Sequence, residues 1–124
     1  MSDRFISIDL ESYMRGDTME SYTFAPEIED PPGPITAARS HFRQYKYSGE
    51  LLASCTSTGG TADITIDDAD TWQITTDPKV ITSTFVGTSV YDVEYTYTDS
   101  ATSQSMVKTL YKGEMPILGD ATYT

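Results

Sequence analysis

Cysteine and histidine each occur once in 124 residues, as Cys55 and His41. One cysteine cannot close an internal disulfide, and one cysteine with one histidine cannot assemble a zinc-finger ligand set. A disulfide-stapled secreted domain and a structural zinc module are therefore excluded. Positive charge is also scarce, with 8 Lys and Arg against 19 Asp and Glu and a formal net charge of -11. Such a chain repels phosphate, which argues against nucleic acid or an anionic membrane as the main partner. Long apolar runs are missing. The opening MSDRFISIDLE places Asp3, Arg4, Asp9 and Glu11 where a secretory leader needs an unbroken apolar core. No window approaches the ~20 apolar residues of a membrane span. The expectation is a product that folds in the cytoplasm that makes it, with no membrane insertion.

Catalytic signatures are equally thin. No G-x-S-x-G, Walker or H-E-x-x-H pattern occurs. Asp92 and Glu94 share one strand face and in principle suit acid-base work on a glycoside, but carboxylates at this spacing ordinarily keep an outer strand face soluble. Asp67, Asp68 and Asp70 offer oxygens to a hard cation, yet the stretch lacks the glycine and distal bidentate Glu of a calcium loop. Aspartates also favour turns by bonding nearby backbone N–H groups. Cys55 has no Lys, Arg or His close in sequence to activate it and reads as a small buried hydrophobe. No enzymatic activity, cofactor or metal is expected.

What the chain does have is tyrosine, at 9 residues, and abundant threonine, both suited to pleated, half-exposed surfaces. From Val90 to Thr98 the alternation sends Tyr91, Val93, Tyr95 and Tyr97 to one face and Val90, Asp92, Glu94 and Thr96 to the other. Asp99 to Gln104 is a polar turn, and Ser105 to Met115 returns as the second strand of a long hairpin. There Val107 and Tyr111 share one parity, Met106 and Leu110 the other, which predicts a bulge or burial on both faces. Upstream, Phe5 to Glu11 reads as an edge strand with Ile6, Ile8 and Leu10 on one face. Arg15-Gly16-Asp17 reads as a turn rather than an integrin ligand, and Thr18 to Phe24 as a strand. Ala25 to Pro34 carries four prolines and a glycine, so it must be a loop, read here as a crossover between two sheets with Glu27, Glu29 and Asp30 solvated. Leu51 to Cys55, Ala62 to Asp67, Trp72 to Thr76 and Val80 to Val86 complete the strands, the middle two as a second hairpin.

Ile35 to Ser48 is the one basic island. Arg39, His41, Arg43 and Lys46 are the candidate interface residues; Phe42 and Tyr45 lie at helical spacing while His41, Arg43, Tyr45 and Tyr47 share one face of a strand, so periodicity leaves the type open and the segment is read as a strand. Such a patch on an acidic protein would complement the surface of a neighbouring copy. The simpler reading is a solvated strand face whose charges lie near the chain's own carboxylates.

About 7–8 short strands with no helical segment predict an all-β antiparallel sandwich or a small barrel. Residues 1–15 form an N-terminal arm or edge strand and 16–124 a single domain. Phe85-Val86-Gly87 leading into Tyr91 resembles the corner in which a tyrosine hydroxyl bonds back to the backbone in immunoglobulin-like folds.

Several short motifs recur in a recognisable order. They are Gly16-Asp17-Thr18, Ile35-Thr36-Ala37 after a Pro-Gly loop, Arg43-Gln44, Ile64-Thr65-Ile66-Asp67, Ile74, Tyr91-Asp92-Val93-Glu94, and Thr109-Leu110-Tyr111-Lys112-Gly113 before Met115. In order and spacing, from about Ile8 to Thr122, the chain resembles the small immunoglobulin-like β-sandwich structural proteins of tailed bacteriophages. It departs from them in the long Asp99–Gln104 turn, where an Asp-Gly pair is usual, and in Trp72, where a smaller residue is usual. The resemblance implies a virion protein of the tail, baseplate or fibre-attachment region. It would act through contacts with other phage structural proteins and among multiple symmetric copies. The alternatives are a capsid decoration or head-completion protein, and a glycan-binding host-attachment module in which Trp72, Tyr95 and Tyr97 would stack on sugars.

Overall fold

A computed structural model describes residues 6–14, 17–26, 28, 30–44, 49–58, 62–81 and 85–119. Among them there is no helix. Eleven strands follow in chain order: β1 (Ile6–Ser7), β2 (Tyr13–Met14), β3 (Thr18–Met19), β4 (Thr23–Phe24), β5 (Ile35–Gln44), β6 (Leu51–Thr56), β7 (Ile64–Asp68), β8 (Gln73–Thr76), β9 (Lys79–Val80), β10 (Gly87–Thr98) and β11 (Ser105–Leu118). Five of these are two-residue bridges, so the six longer strands carry the architecture.

The large sheet has the order β1-β11-β10-β5-β6, with β2 joining the same side of β11 further along; β4-β8-β7 form a second sheet and β3-β9 a short ribbon. Except for the parallel additions of β1 and β2 to β11, every pairing is antiparallel. The layers are consistent with a β-sandwich, because aromatic side chains from both sheets meet between them. Phe24 comes from the smaller sheet and Trp72 from its β7–β8 turn; from the larger sheet come Tyr91, Tyr95, Tyr97 and Tyr111. The ring centroids of Phe24 and Tyr111 lie 4.8 Å apart, and those of Trp72 and Tyr97 lie 4.9 Å apart. Tilted and offset rings at this range add to what burial alone contributes.

The β10–β11 hairpin follows the pattern of its residues. All four inward positions, Tyr91, Val93, Tyr95 and Tyr97, are buried. The expected bulge falls at Leu110, since Val93 pairs with Tyr111 while Glu94 pairs with Thr109. The extra residue resets the parity, so that Leu110 and Tyr111 are both buried. The Pro-rich segment does run from the small sheet to the large one. Trp72 closes over it, donating its indole N–H to the Gly33 carbonyl at 2.8 Å. Gly33 must be glycine, because a Cβ there would overlap the Thr98 carbonyl.

Three expectations need correction. Phe5 lies outside the described residues, and Ile6 to Glu11 is not a continuous strand: only Ile6–Ser7 is, and Ile8 is 42% exposed. The Ile8 carbonyl turns in to accept the Tyr91 hydroxyl at 2.6 Å, which leaves the Ile8 side chain outside. The expected corner is met in its bond and altered in its setting: the Tyr91 hydroxyl does bond to backbone, and the acceptor belongs to the N-terminal edge. Thr18 to Phe24 splits into β3 and β4, which pair with β9 and β8 in different sheets. Two bonds at the split, Thr76 N–H to the Tyr22 carbonyl and Tyr22 N–H to Thr76 Oγ1, both 2.9 Å, hand the chain to β8. The expected strand at Val80 to Val86 reduces to β9, whose register with β3 covers only two residues. Phe85 and Val86 are not strand, and residues 82–84 lie outside the described ones.

Candidate functional site

Strand β5 carries three of the four candidate interface residues. Ala38, Ser40 and Phe42 point into the core, so alternation sends Arg39, His41 and Arg43 to the outer face of the large sheet. Lys46, with Tyr45 and Tyr47, lies outside the described residues, as do Arg15 and Gly16 of the Arg-Gly-Asp turn and Glu27 and Glu29 of the Pro-rich loop. Asp30 is exposed.

The register of β5 with its neighbours decides what these cations face. Arg39 stands opposite Glu94 of β10, with Nη2 at 2.7 Å and Nε at 2.8 Å from the same Oε1. His41 stands opposite Asp92, which on its other side is in register with Lys112. Arg43 stands opposite Val90, itself in register with Glu114, and donates from Nη1 to the Gly49 carbonyl at 3.2 Å. Three rows therefore cross the sheet from β6 to β11: Thr56–Arg39–Glu94–Thr109, Ser54–His41–Asp92–Lys112, and Leu51–Arg43–Val90–Glu114.

Arg39, Arg43 and Lys112 are matched on this face by Asp92, Glu94 and Glu114. Three cations therefore stand among three carboxylates on this face, and one of these juxtapositions, Arg39–Glu94, is a direct ion pair. The Arg39–Glu94 pair is 56% and 26% exposed, so water screens it and its contribution to stability is small. Beside the first row, Ala37, Thr56, Thr58, Thr96 and Val107 line a shallow depression of about 310 Å³. At 62%, Val107 is the most exposed large apolar residue described. Sequence alternation already placed Asp92 and Glu94 on an outer face. Lys112 and Glu114 were missed because the Leu110 bulge shifts their parity.

Other sequence candidates resolve as structure. Asp68 Oδ1 accepts from the backbone N–H groups of Asp70 at 3.0 Å and Thr71 at 3.3 Å, while Asp67 Oδ2 accepts the Thr75 hydroxyl at 2.5 Å. These bonds build the β7–β8 turn. Among the described residues no group of three or more His, Cys, Asp or Glu is placed to hold a metal ion. Cys55 is 1% exposed, and burial first, then the Asp63 carboxylate, pushes its thiol up to about 11, far from a nucleophile's range. Trp72 and Tyr95 are fully buried and Tyr97 is 8% exposed; the indole stacks on Tyr95 and meets Tyr97 at a tilt. Core packing, the simpler reading of these three aromatics, is what the structure shows, and the sugar platform that the alternative required of them is not on the surface.

Among the described residues no helix is long and apolar enough to cross a membrane. Fold and face together define an all-β protein with a flat, charge-compensated outer sheet. No family model matches the chain, and no curated protein or solved structure matches it either.

Proposed function

We propose that this chain is an immunoglobulin-like structural module of a tailed-bacteriophage particle, placed in the tail, baseplate or fibre-attachment region and working through protein-protein contacts. The observation that carries the fold half of this reading is strand order. The small sheet β4-β8-β7 faces β11-β10-β5-β6, and β1 adds in parallel to β11. In chain order this corresponds to strands B, E and D against G, F, C and C′ of a variable-type immunoglobulin domain. The ordered motifs of the sequence supply the viral half. The outer face supports action through contacts, since charges of both signs set out in rows are a means of fixing register between proteins.

The test is location. Particles produced from the genome that encodes the chain are purified, and their proteins are identified by mass spectrometry, with labelled antibody fragments located by electron microscopy. The expected result is several copies per particle at the tail or baseplate. Label on the head would move the assignment to a decoration or completion protein. Absence from the particle would overturn the proposal.

A further inference from the structure

The charge of this molecule is unevenly distributed. The outward residues of β6, β5, β10 and β11 include three cations and three carboxylates, Arg39, Arg43 and Lys112 against Asp92, Glu94 and Glu114. The remaining five cations and sixteen carboxylates of the chain therefore hold the whole excess of -11. Two copies meeting through any strongly acidic part of the surface repel each other; through this face they do not.

The arrangement is also self-complementary. Cations and His41 fill the β5 column, and carboxylates fill two positions of the adjacent β10 column. A two-fold axis lying in the face, parallel to these strands and midway between them, stacks β5 of one copy on β10 of the other. Arg39 then faces the second copy's Glu94, and His41 the second copy's Asp92. The same operation stacks β11 on the second copy's β6, which carries the exposed Val107 toward the rim of the depression at Thr56 and Thr58. We infer that the outer face of the large sheet docks a second copy of this chain, face to face, about such an axis.

Four strands at ~4.8 Å spacing and ~25 Å of strand length give a footprint of roughly 500 Å² per copy. That is below the ~800 Å² per partner of a stable complex. The contact is therefore weak and reversible in isolation, and strengthened when many copies are held together. The inference deepens the assembly reading above and rests on it, but the two fail separately. Location in a particle tests that reading; solution behaviour tests this one.

The experiment is sedimentation equilibrium of the full chain over a wide concentration range, with circular dichroism to check that each variant is folded. Wild type is expected to form a reversible dimer. Val107→Glu, at a position exposed in the fold, is expected to weaken dimerisation by about tenfold or more. A second variant combines Arg39→Glu with Glu94→Arg, which keeps the pair within each chain. It is expected to dimerise with itself but not with wild type, because in the mixed dimer like charges face each other at both positions. A wild type that stays monomeric throughout overturns the inference. So does a dimer that tolerates Val107→Glu, or one in which the swapped and wild-type chains mix freely.

Discussion

The Tyr91 hydroxyl donates to the main-chain carbonyl of Ile8 at 2.6 Å, joining the central strand β10 to the N-terminal edge across 83 positions of sequence. Four residues along the same face of β10, the Tyr95 hydroxyl is buried with no hydrogen-bond partner among the described residues. Two identical side chains on one strand thus differ in whether burial is compensated, and burial pushes the Tyr95 pKa upward.

Removing each hydroxyl should have opposite effects. Tyr91→Phe leaves the Ile8 carbonyl without that donor and is expected to destabilise by about 1 kcal/mol. Tyr95→Phe deletes an uncompensated buried polar group and is expected to be neutral or stabilising by up to about 1 kcal/mol. Urea denaturation of both variants beside wild type decides the signs. Equal losses would show that Tyr95 is satisfied in solution.

Gly113 lets the N-terminal segment lie on β11. A Cβ there would overlap the Ile8 carbonyl and stand 2.8 Å from Tyr91 Cε1. Gly113→Ala should therefore push residues 6–14 off the sheet edge and lower stability by about 1–3 kcal/mol. Hydrogen exchange should show lost protection at Ile8 and Leu10, whose N–H groups bond the Lys112 and Glu114 carbonyls at 3.1 and 2.8 Å, while β5 keeps its protection.

Trp72 combines a left-handed backbone, φ 68°, with the buried bond to Gly33. Trp72→Phe leaves the Gly33 carbonyl without its indole donor and opens space beside Tyr95 and Tyr97, with an expected cost of about 2–4 kcal/mol. Thermal unfolding measures it. A loss near zero would mean that the Pro-rich loop and hairpin tip hold together without the indole.

Asp63, just before β7, ties the large sheet to the β3–β9 ribbon, accepting from Thr56 N–H at 2.6 Å and from Lys79 Nζ at 2.7 Å. Burial acts to raise its pKa, but the hydrogen bonds from Lys79 and the Thr56 backbone outweigh it and hold the carboxyl below its ordinary 3.8. The hydrogen bond to Asp63, against a smaller opposing effect of burial, raises Lys79 above its ordinary 10.5. A lowered acid contributes stability that is present above its unfolded pKa and is lost as pH falls through the folded one. A raised base contributes stability that is present below its unfolded pKa and is lost as pH rises through the folded one. The stability difference between wild type and Lys79→Met should therefore be flat near neutrality, at about 1 kcal/mol. It should shrink below pH 3.8 and again above pH 10.5. Chemical denaturation at a series of pH values tests this; a difference that persists unchanged at pH 3 would show that packing, not charge, holds the site.

Much of the architecture is local in origin. Alternation in Val90–Thr98 put the tyrosines inside, clashing parities around Leu110 called for a bulge, four prolines ruled out a ladder before Ile35, and the aspartates after Ile66 marked a turn. Each follows from the conformational preferences of a few neighbouring residues, and such preferences travel with the sequence. Other features depend on residues far apart in the chain meeting. They include the Ile8 carbonyl that receives Tyr91, the division of Thr18–Phe24 between two sheets, and the enclosure of Trp72. The same is true of the carboxylates that face Arg39 and His41. Side-chain direction along one strand is set by its own pleat, but which strand lies alongside, and in what register, is set by packing of the whole core. That choice sets a basic stretch of sequence beside carboxylates from a distant strand.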